Sequence, residues 1–370
     1  MHELISQCMR VWYRCLRCGY TTEASSWFWR CPKCGGPLDL IIDGLRLTLS
    51  ERRDLWRFSS VIPARPFVSL GEGLTPLINA SFLGKNVYLK LEYLNPTGSF
   101  KDRGSAVAVS KALEFGARAV VEDSSGNAGI SIAAYAAAAG IKARIYVPRD
   151  APEGKKSLIR SLGAELIEAP SRAEAGKMAI DSVGPSEVYV GHAWNPWFLQ
   201  GTKTLAYELL DQLGHVPDAV VLPVSAGTLL LGLWIGFNEL LNLGLINKMP
   251  RLYAVQAQGF ASLYEKMHGE SMKEPTKLAD ALRVSNPPRL EQLVNAIRRS
   301  NGDVLVIMDD ELLQSWKLLL RRGFIIEPSS AIVLPGYMKL LNSNYLSKDD
   351  EVVIVLTGSG LKYIDIMSKI

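Results

Sequence analysis

Charge of one sign is the first thing this sequence lacks. Forty-one basic residues stand against 37 acidic ones in 370, a net charge of +4, so no broad electrostatic footprint for nucleic acid or an acidic membrane is expected. A leading apolar stretch is missing too. Residues 1–15 hold no hydrophobic core of signal-peptide length, and no secretory leader is expected. Nor is there an unbroken run long enough to span a membrane. The nearest, residues 219–237, is interrupted by Pro223, Ser225, Gly227, Gly232 and Gly236, which suits a buried strand, a glycine turn and a buried helix. Repeats are absent, and the alanine-rich residues 133–139 read as a good buried helix. What remains is ordinary globular chain, 48% hydrophobic and 21% charged, long enough for two domains and an appendage.

Cysteine is sparse, five in all, but four of the five form two close pairs: Cys15-Leu16-Arg17-Cys18-Gly19 and Cys31-Pro32-Lys33-Cys34-Gly35. Such clustering points to a metal in a reducing, cytoplasmic compartment, not to disulfides. Two residues between thiolates let the chain fold back so that both sulfurs reach one ion, and the following glycine permits the left-handed turn this needs. Two knuckles complete a tetrahedral sulfur site for zinc, with Cys15, Cys18, Cys31 and Cys34 as ligands. Cys8 is left over as a spare thiol.

Beyond residue 66 short apolar runs alternate with helical stretches, the signature of an α/β protein with parallel sheets flanked by helices. Residues 87–91, 119–121, 144–147, 188–190, 219–222, 253–256, 304–308 and 352–356 have strand length. Residues 105–115, 128–139, 202–213, 229–241, 310–322 and 329–341 read as helices. Residues 45–66, with Trp56 and Phe58, read as a connector docking on the main body, and residues 269–286 as a long surface excursion.

The stretch Leu94-Asn95-Pro96-Thr97-Gly98-Ser99-Phe100-Lys101-Asp102-Arg103-Gly104 joins a predicted strand to a predicted helix. A lysine at such a turn can present its amine to a carbonyl cofactor. The stretch resembles the lysine motif of the type II (tryptophan synthase β-like) pyridoxal-phosphate (PLP) enzymes, above all the threonine synthases, N-P-T-x-S-F-K-D-R, and agrees at every defined position. The resemblance covers about residues 70–362. It implies a two-domain PLP fold with a small N-terminal zinc ribbon, and it implies that Lys101 carries PLP as a Schiff base and then moves protons at the substrate's carbons.

Three further segments occur in the family's order. Ser124-Ser125-Gly126-Asn127-Ala128-Gly129 lies between a strand and a helix, where backbone amides suit an anion. By resemblance that anion is the substrate carboxylate, and Asn127 hydrogen-bonds the cofactor's ring hydroxyl. Taken alone, Ser-Gly-Asn is a common turn. In Pro223-Val224-Ser225-Ala226-Gly227-Thr228-Leu229 the amides and the helix dipole can cradle a phosphate, and the resemblance makes it the PLP phosphate, held by residues 225–229. Glycines are fewer here than in the family, and the Ser225 and Thr228 hydroxyls can compensate. Leu356-Thr357-Gly358-Ser359-Gly360-Leu361-Lys362 is similar to the family's L-T-G-x-G-L-K, whose threonine faces the pyridine nitrogen. That threonine is Thr357, with Ser359 as the alternative. Glu327-Pro328-Ser329-Ser330-Ala331 also matches a family segment, and Glu327 reads as a favourable charge at a helix start.

The substrate segment runs Val190-Gly191-His192-Ala193-Trp194-Asn195-Pro196-Trp197-Phe198, then Gly201, Lys203 and Thr204. It departs from the family at His192-Ala193, where Asn-Ser is usual, and at Phe198, where arginine is usual. Phenylalanine offers a phosphate dianion no donor. O-Phosphohomoserine is therefore expected to react poorly, or to be held by other cations among Lys203, Arg103 and Arg149. His192 can be a further donor or a general acid on the substrate, although a lone histidine beside an apolar run is more often structural. The expected organisation is a ribbon over 1–44, a large PLP domain over 45–103 with 198–370, and a small mobile domain over 104–197. The family implies a homodimer acting on a small amino acid. Alternatives left open are β-replacement from O-phosphoserine to cysteine or cysteate, serine or threonine deamination, and a ribbon-mediated binding protein with an inactive PLP fold.

Overall fold

The computed structural model describes residues 9–270 and 274–367, so Cys8 lies outside the described residues. The chain divides into two compact units, Met1–Leu74 with Lys101–Thr204, and Thr75–Phe100 with Leu205–Ile370.

In the first unit a four-stranded parallel sheet runs in the order Glu165–Ala169, Lys142–Pro148, Ala119–Glu122, Glu187–Tyr189. Parallel sheets need cover on both faces, and neighbouring strand residues point to opposite sides. Val120 accordingly packs with Val107, Ile130, Ile132 and Tyr135 of the helices Lys101–Glu114 and Asn127–Ala138. Val121 packs with Tyr146, Ala175 and Ala179, the two alanines belonging to the helix Arg172–Asp181. Residues 165–169 and the helices Glu153–Ser161 and Arg172–Asp181 were not evident as elements in the sequence. The connector docks as expected: Trp56 and Phe58 are fully buried, and Trp56 donates its indole N–H to the Val68 carbonyl at 3.1 Å.

The helix Pro196–Thr202 opens with proline in its first turn and is capped by the Asn195 side chain, which accepts from the Trp197 amide at 2.9 Å. It meets the helix Lys101–Glu114 through two glycines. A Cβ on Gly201 would lie 1.9 Å from the Arg103 carbonyl oxygen, and one on Gly104 would lie 2.3 Å from the Phe198 ring. Because the Gly201 contact is with backbone, Gly201→Ala must push the two helices apart, at a cost of about 1–3 kcal/mol or more. The urea midpoint should fall with little change in slope. An unchanged midpoint would refute this close packing.

The ribbon belongs to the same unit. Its antiparallel sheet has the order Thr21–Glu23, Arg10–Cys15, Leu38–Asp43. After each cysteine pair the glycine turns left-handed, at φ +73° for Gly19 and +68° for Gly35, and its amide bonds back to the first cysteine's carbonyl at 2.9 Å. The four sulfurs lie within 4.8 Å of one another. Aromatic residues tie the ribbon to residues 189–198: the Trp197 indole donates to the Tyr13 hydroxyl at 2.9 Å, the Trp27 indole to the Tyr189 carbonyl at 3.1 Å, and Trp29 packs edge-on against Tyr189 and Trp194.

The second unit holds a six-stranded sheet, Val304–Ile307, Arg251–Ala257, Ala219–Pro223, Val352–Val355, Val87–Lys90, Leu77–Asn79, parallel except for the last strand. Its core gathers Leu89, Val221, Val255, Ile307, Trp316, Leu340 and Ile354. The long apolar run resolves into the strand Ala219–Pro223 and the helix Thr228–Asn242. Among the described residues no helix is long and apolar enough to cross a membrane. Within the predicted excursion only a short turn, Asp280–Leu282, is regular among the described residues.

Candidate active site

Lys101 is the first residue of its helix, which begins four residues earlier than expected. The lysine therefore projects from the rigid first turn of a helix. It is half-buried, and its Nζ lies 5.7 Å from the centre of the Phe198 ring. On that same ring packs His192, with ring centres 5.9 Å apart. Behind His192 stands Glu122, the last residue of the strand Ala119–Glu122. Its Oε1 lies 2.9 Å from His192 Nδ1, and its Oε2 accepts from the His192 amide at 3.1 Å. Glu122 is fully buried, whereas 18% of the His192 side chain remains exposed. Burial pushes the Glu122 carboxyl up to about 8, against the opposing pull of the His192 amide and the Lys101 ammonium. Burial likewise holds His192 well below its ordinary value, helped by Lys101 and opposed by Asp123. At neutral pH the acid is thus protonated and the imidazole uncharged. Glu122 escaped the sequence reading, although one signal was there: a carboxylate ending an apolar strand at its carboxyl end, where α/β sheets bind ligands.

From Glu122 the chain passes directly into Asp123 and the Ser124–Ala128 loop. Gly126 begins the helix Asn127–Ala138 without a side-chain cap, which leaves first-turn amides for an anion. Gly129 has to be glycine, since a Cβ there would lie 1.9 Å from the Ser124 carbonyl oxygen. The remaining cations named for the substrate are placed differently. Arg103 is fully buried and donates to Thr204 Oγ1 at 3.2 Å, Lys203 is fully buried, and Arg149 is exposed.

In the second unit the loop after the strand Ala219–Pro223 turns at Gly227, φ +81°, and opens the helix Thr228–Asn242 with no side-chain cap. A Cβ at Gly227 would come within 2.2 Å of Leu293. The Ser225 Oγ is buried without a hydrogen-bond partner among the described residues. Thr357 is held by Ser330, whose Oγ accepts from the Thr357 and Gly358 amides at 2.9 and 2.6 Å and lies 3.0 Å from Thr357 Oγ1. Glu327 packs beside this turn, its amide bonded to the Gly358 carbonyl at 2.9 Å and its carboxyl where a Gly358 Cβ would fall.

Residues 68–358 match the family described as pyridoxal-phosphate dependent enzyme. The chain belongs to that family. It is similar to threonine synthase of Methanocaldococcus jannaschii, with 33% identity covering 94% of this chain and 92% of that one. With threonine synthase of Mycobacterium bovis it shares 39% identity over 80% and 83% of the two chains. Among solved structures it is similar to a fungal L-serine ammonia-lyase from Rhizomucor miehei, with TM-score 0.68, 25% identity, and 80% and 98% coverage. This PLP-dependent enzyme is thus a lyase with the type II fold, and its relatives are threonine synthases. The uncapped helix start at Gly227 and the orphaned Ser225 hydroxyl fit a cofactor phosphate, which would accept from both. The cysteine cluster fits a metal ion as well: the Cys15–Cys34 and Cys18–Cys31 sulfurs are 3.5 and 3.6 Å apart, and Zn–S bonds of about 2.3 Å set sulfurs about 3.8 Å apart in a tetrahedron.

Proposed function

We propose that this PLP-dependent lyase catalyses elimination and replacement of the threonine-synthase type, on an amino acid bearing a leaving group at its β or γ carbon. The observation that supports it most is the full lysine motif, with Lys101 on a helix start beside Phe198 and the Glu122–His192 pair. Bound PLP supplies an electron sink for negative charge at the substrate's carbons. Lys101 anchors it and, released, takes and returns protons. Amides of residues 124–128 bind the substrate carboxylate, and Asn127 the cofactor's ring hydroxyl. Residues 225–229 hold the cofactor phosphate, and Thr357 faces its ring nitrogen. The four cysteines hold one structural zinc ion, since four thiolates leave no open position.

The leaving group is a separate matter, and Phe198 favours a second reading. A buried ring and an uncharged imidazole give a phosphate dianion no cation beside Lys101. Two missing charge-assisted hydrogen bonds, at about 1.5–3 kcal/mol each, correspond to roughly two to four decades in affinity. We therefore expect an amino acid with an uncharged leaving group, acetyl or hydroxyl, to outrun O-phosphohomoserine in kcat/KM by that order. The measurement is the cofactor's absorbance with product assay across serine, threonine, O-acetyl and O-phospho donors. Efficient turnover of O-phosphohomoserine, unchanged in Lys203→Ala and Arg103→Ala, would overturn this reading and sustain the stricter one drawn from the relatives.

A further inference from the structure

Neither the lysine motif nor the phosphate and carboxylate loops give Glu122 a task, yet it is a fully buried acid on which Lys101 acts. Both its oxygens meet His192, one at the ring and one at the backbone amide, and the Asp123 amide also acts on the carboxyl. Among the described residues no lysine or arginine lies within ion-pair distance of it. A carboxylate in that position would be a buried charge with Lys101 acting on it only through space and not as an ion pair, a cost the neutral acid avoids. The backbone amide can only donate, so it takes one oxygen as acceptor. The other oxygen is then the one left to carry a proton toward Nδ1. An imidazole that accepts at Nδ1 keeps its hydrogen on Nε2. Nε2 has no hydrogen-bond partner among the described residues, 18% of the His192 side chain is exposed, and its ring packs on the Phe198 ring that Lys101 also approaches.

We propose that Glu122 is a positioning residue which, as a neutral carboxylic acid, fixes His192 as an uncharged Nε2–H donor for the departing group of the substrate. This rests on Lys101 being the PLP-bearing lysine. A donor of this kind suits an uncharged oxygen leaving group: Nε2–H hydrogen-bonds the oxygen as its bond to carbon breaks, and His192 ends the step in the protonation state in which it began, the departing oxygen's proton coming from Lys101.

The charged and titratable groups around the pair are Lys101 and Asp123, the latter bonded to the Tyr189 hydroxyl at 2.8 Å, with Arg172 acting on His192 and Arg30 on Tyr189. A raised carboxyl keeps its proton below its own pKa and loses it above. Once Glu122 is an anion it must accept from Nδ1, the ring hydrogen moves there, and the Nε2 donor is lost. Activity should therefore fall as pH rises through about 8.

The test compares Glu122→Ala and Glu122→Gln holoenzymes over pH 6–10. A glutamine offers the same acceptor to the His192 amide and a fixed N–H donor to Nδ1, and it cannot ionise. Glu122→Ala and His192→Phe should each lower kcat by about 10²-fold, the lower end for removing one positioned hydrogen-bond donor to a developing oxyanion. Glu122→Gln should restore activity to within about threefold, the worth of one neutral hydrogen bond, and lack the alkaline fall. A dead but folded and yellow Glu122→Gln enzyme, or one that keeps the same alkaline fall, would overturn the proposal. Should the variants fail to fold, ¹⁵N shifts of the His192 ring in the wild-type holoenzyme decide it. Nε2–H below pH 8 giving way to Nδ1–H above is expected, and Nδ1–H throughout would refute it. That readout does not depend on which lysine binds the cofactor, so its failure is distinct from failure of the Lys101 assignment.

Discussion

Lys101→Ala should leave a folded protein that has lost essentially all turnover. Proton transfer by a positioned side chain is worth about 10²–10⁴-fold, and this lysine is assigned covalent anchoring as well, so the loss should reach or exceed the upper figure. Folding should survive, because Lys101 opens a helix and is half-buried, and alanine is the best helix former. Borohydride reduction of the wild-type enzyme followed by peptide mapping should place the cofactor on Lys101. The same treatment of the variant should place none. Five other lysines, Lys90, Lys111, Lys155, Lys156 and Lys203, are buried, so the control is a strict one. Label on any of them would remove Lys101 from its role.

The second large effect is expected at the cysteines. Metal analysis should find about one zinc per chain. Zinc binding to a structural four-thiolate site is coupled to folding, at about 10–16 kcal/mol in isolated peptides, so Cys15→Ser with Cys31→Ser should unfold the ribbon outright. Both sulfurs are buried in the cluster formed with Tyr13, Leu38 and Trp197, and losing them removes ligand and packing together. Chelation should change the fluorescence of Trp27, Trp29 and Trp197, whose edges meet Tyr13, Phe115, Tyr189 and Trp194. Unaltered metal content in the double variant would exclude the four-cysteine site.

The parts of this protein that sequence reveals are those whose chemistry is local. A C-x-x-C-G knuckle has to turn left-handed at its glycine, and Gly19 and Gly35 do so. Apolar runs such as residues 219–222 and 352–356 lie in a sheet covered on both faces and become central strands. The strand Glu165–Ala169 went unseen because it lies at a sheet edge and has only two large apolar residues, Leu166 and Ile167, between two glutamates. The helix of Lys101 starts early because its first turn is anchored by tertiary contacts: Asp102 accepts from Ser131, and Arg103 reaches Thr204. Local propensity does not report such contacts. Phe198 looked like an absent arginine. In the fold it is also the ring that fills the space left by Gly104, 94 positions earlier. Glu122 and His192 are 70 residues apart, and a proton shared across that distance leaves no pattern along the chain.

The aromatic seam between the ribbon and residues 189–198 bears on how the chain is made. The two indole hydrogen bonds that hold it join residues 162 and 184 positions apart. At about 5–20 residues per second, roughly 10–40 s separate synthesis of the ribbon from synthesis of the surface it packs against. During that interval Tyr13 lacks Trp197, and Trp27 and Trp29 lack Tyr189 and Trp194, so the ribbon's outer aromatic face waits for residues made much later. A ribbon expressed alone, or a chain cut short before residue 189, would keep that apolar face permanently, which makes the N-terminal module inseparable from the enzyme that follows it.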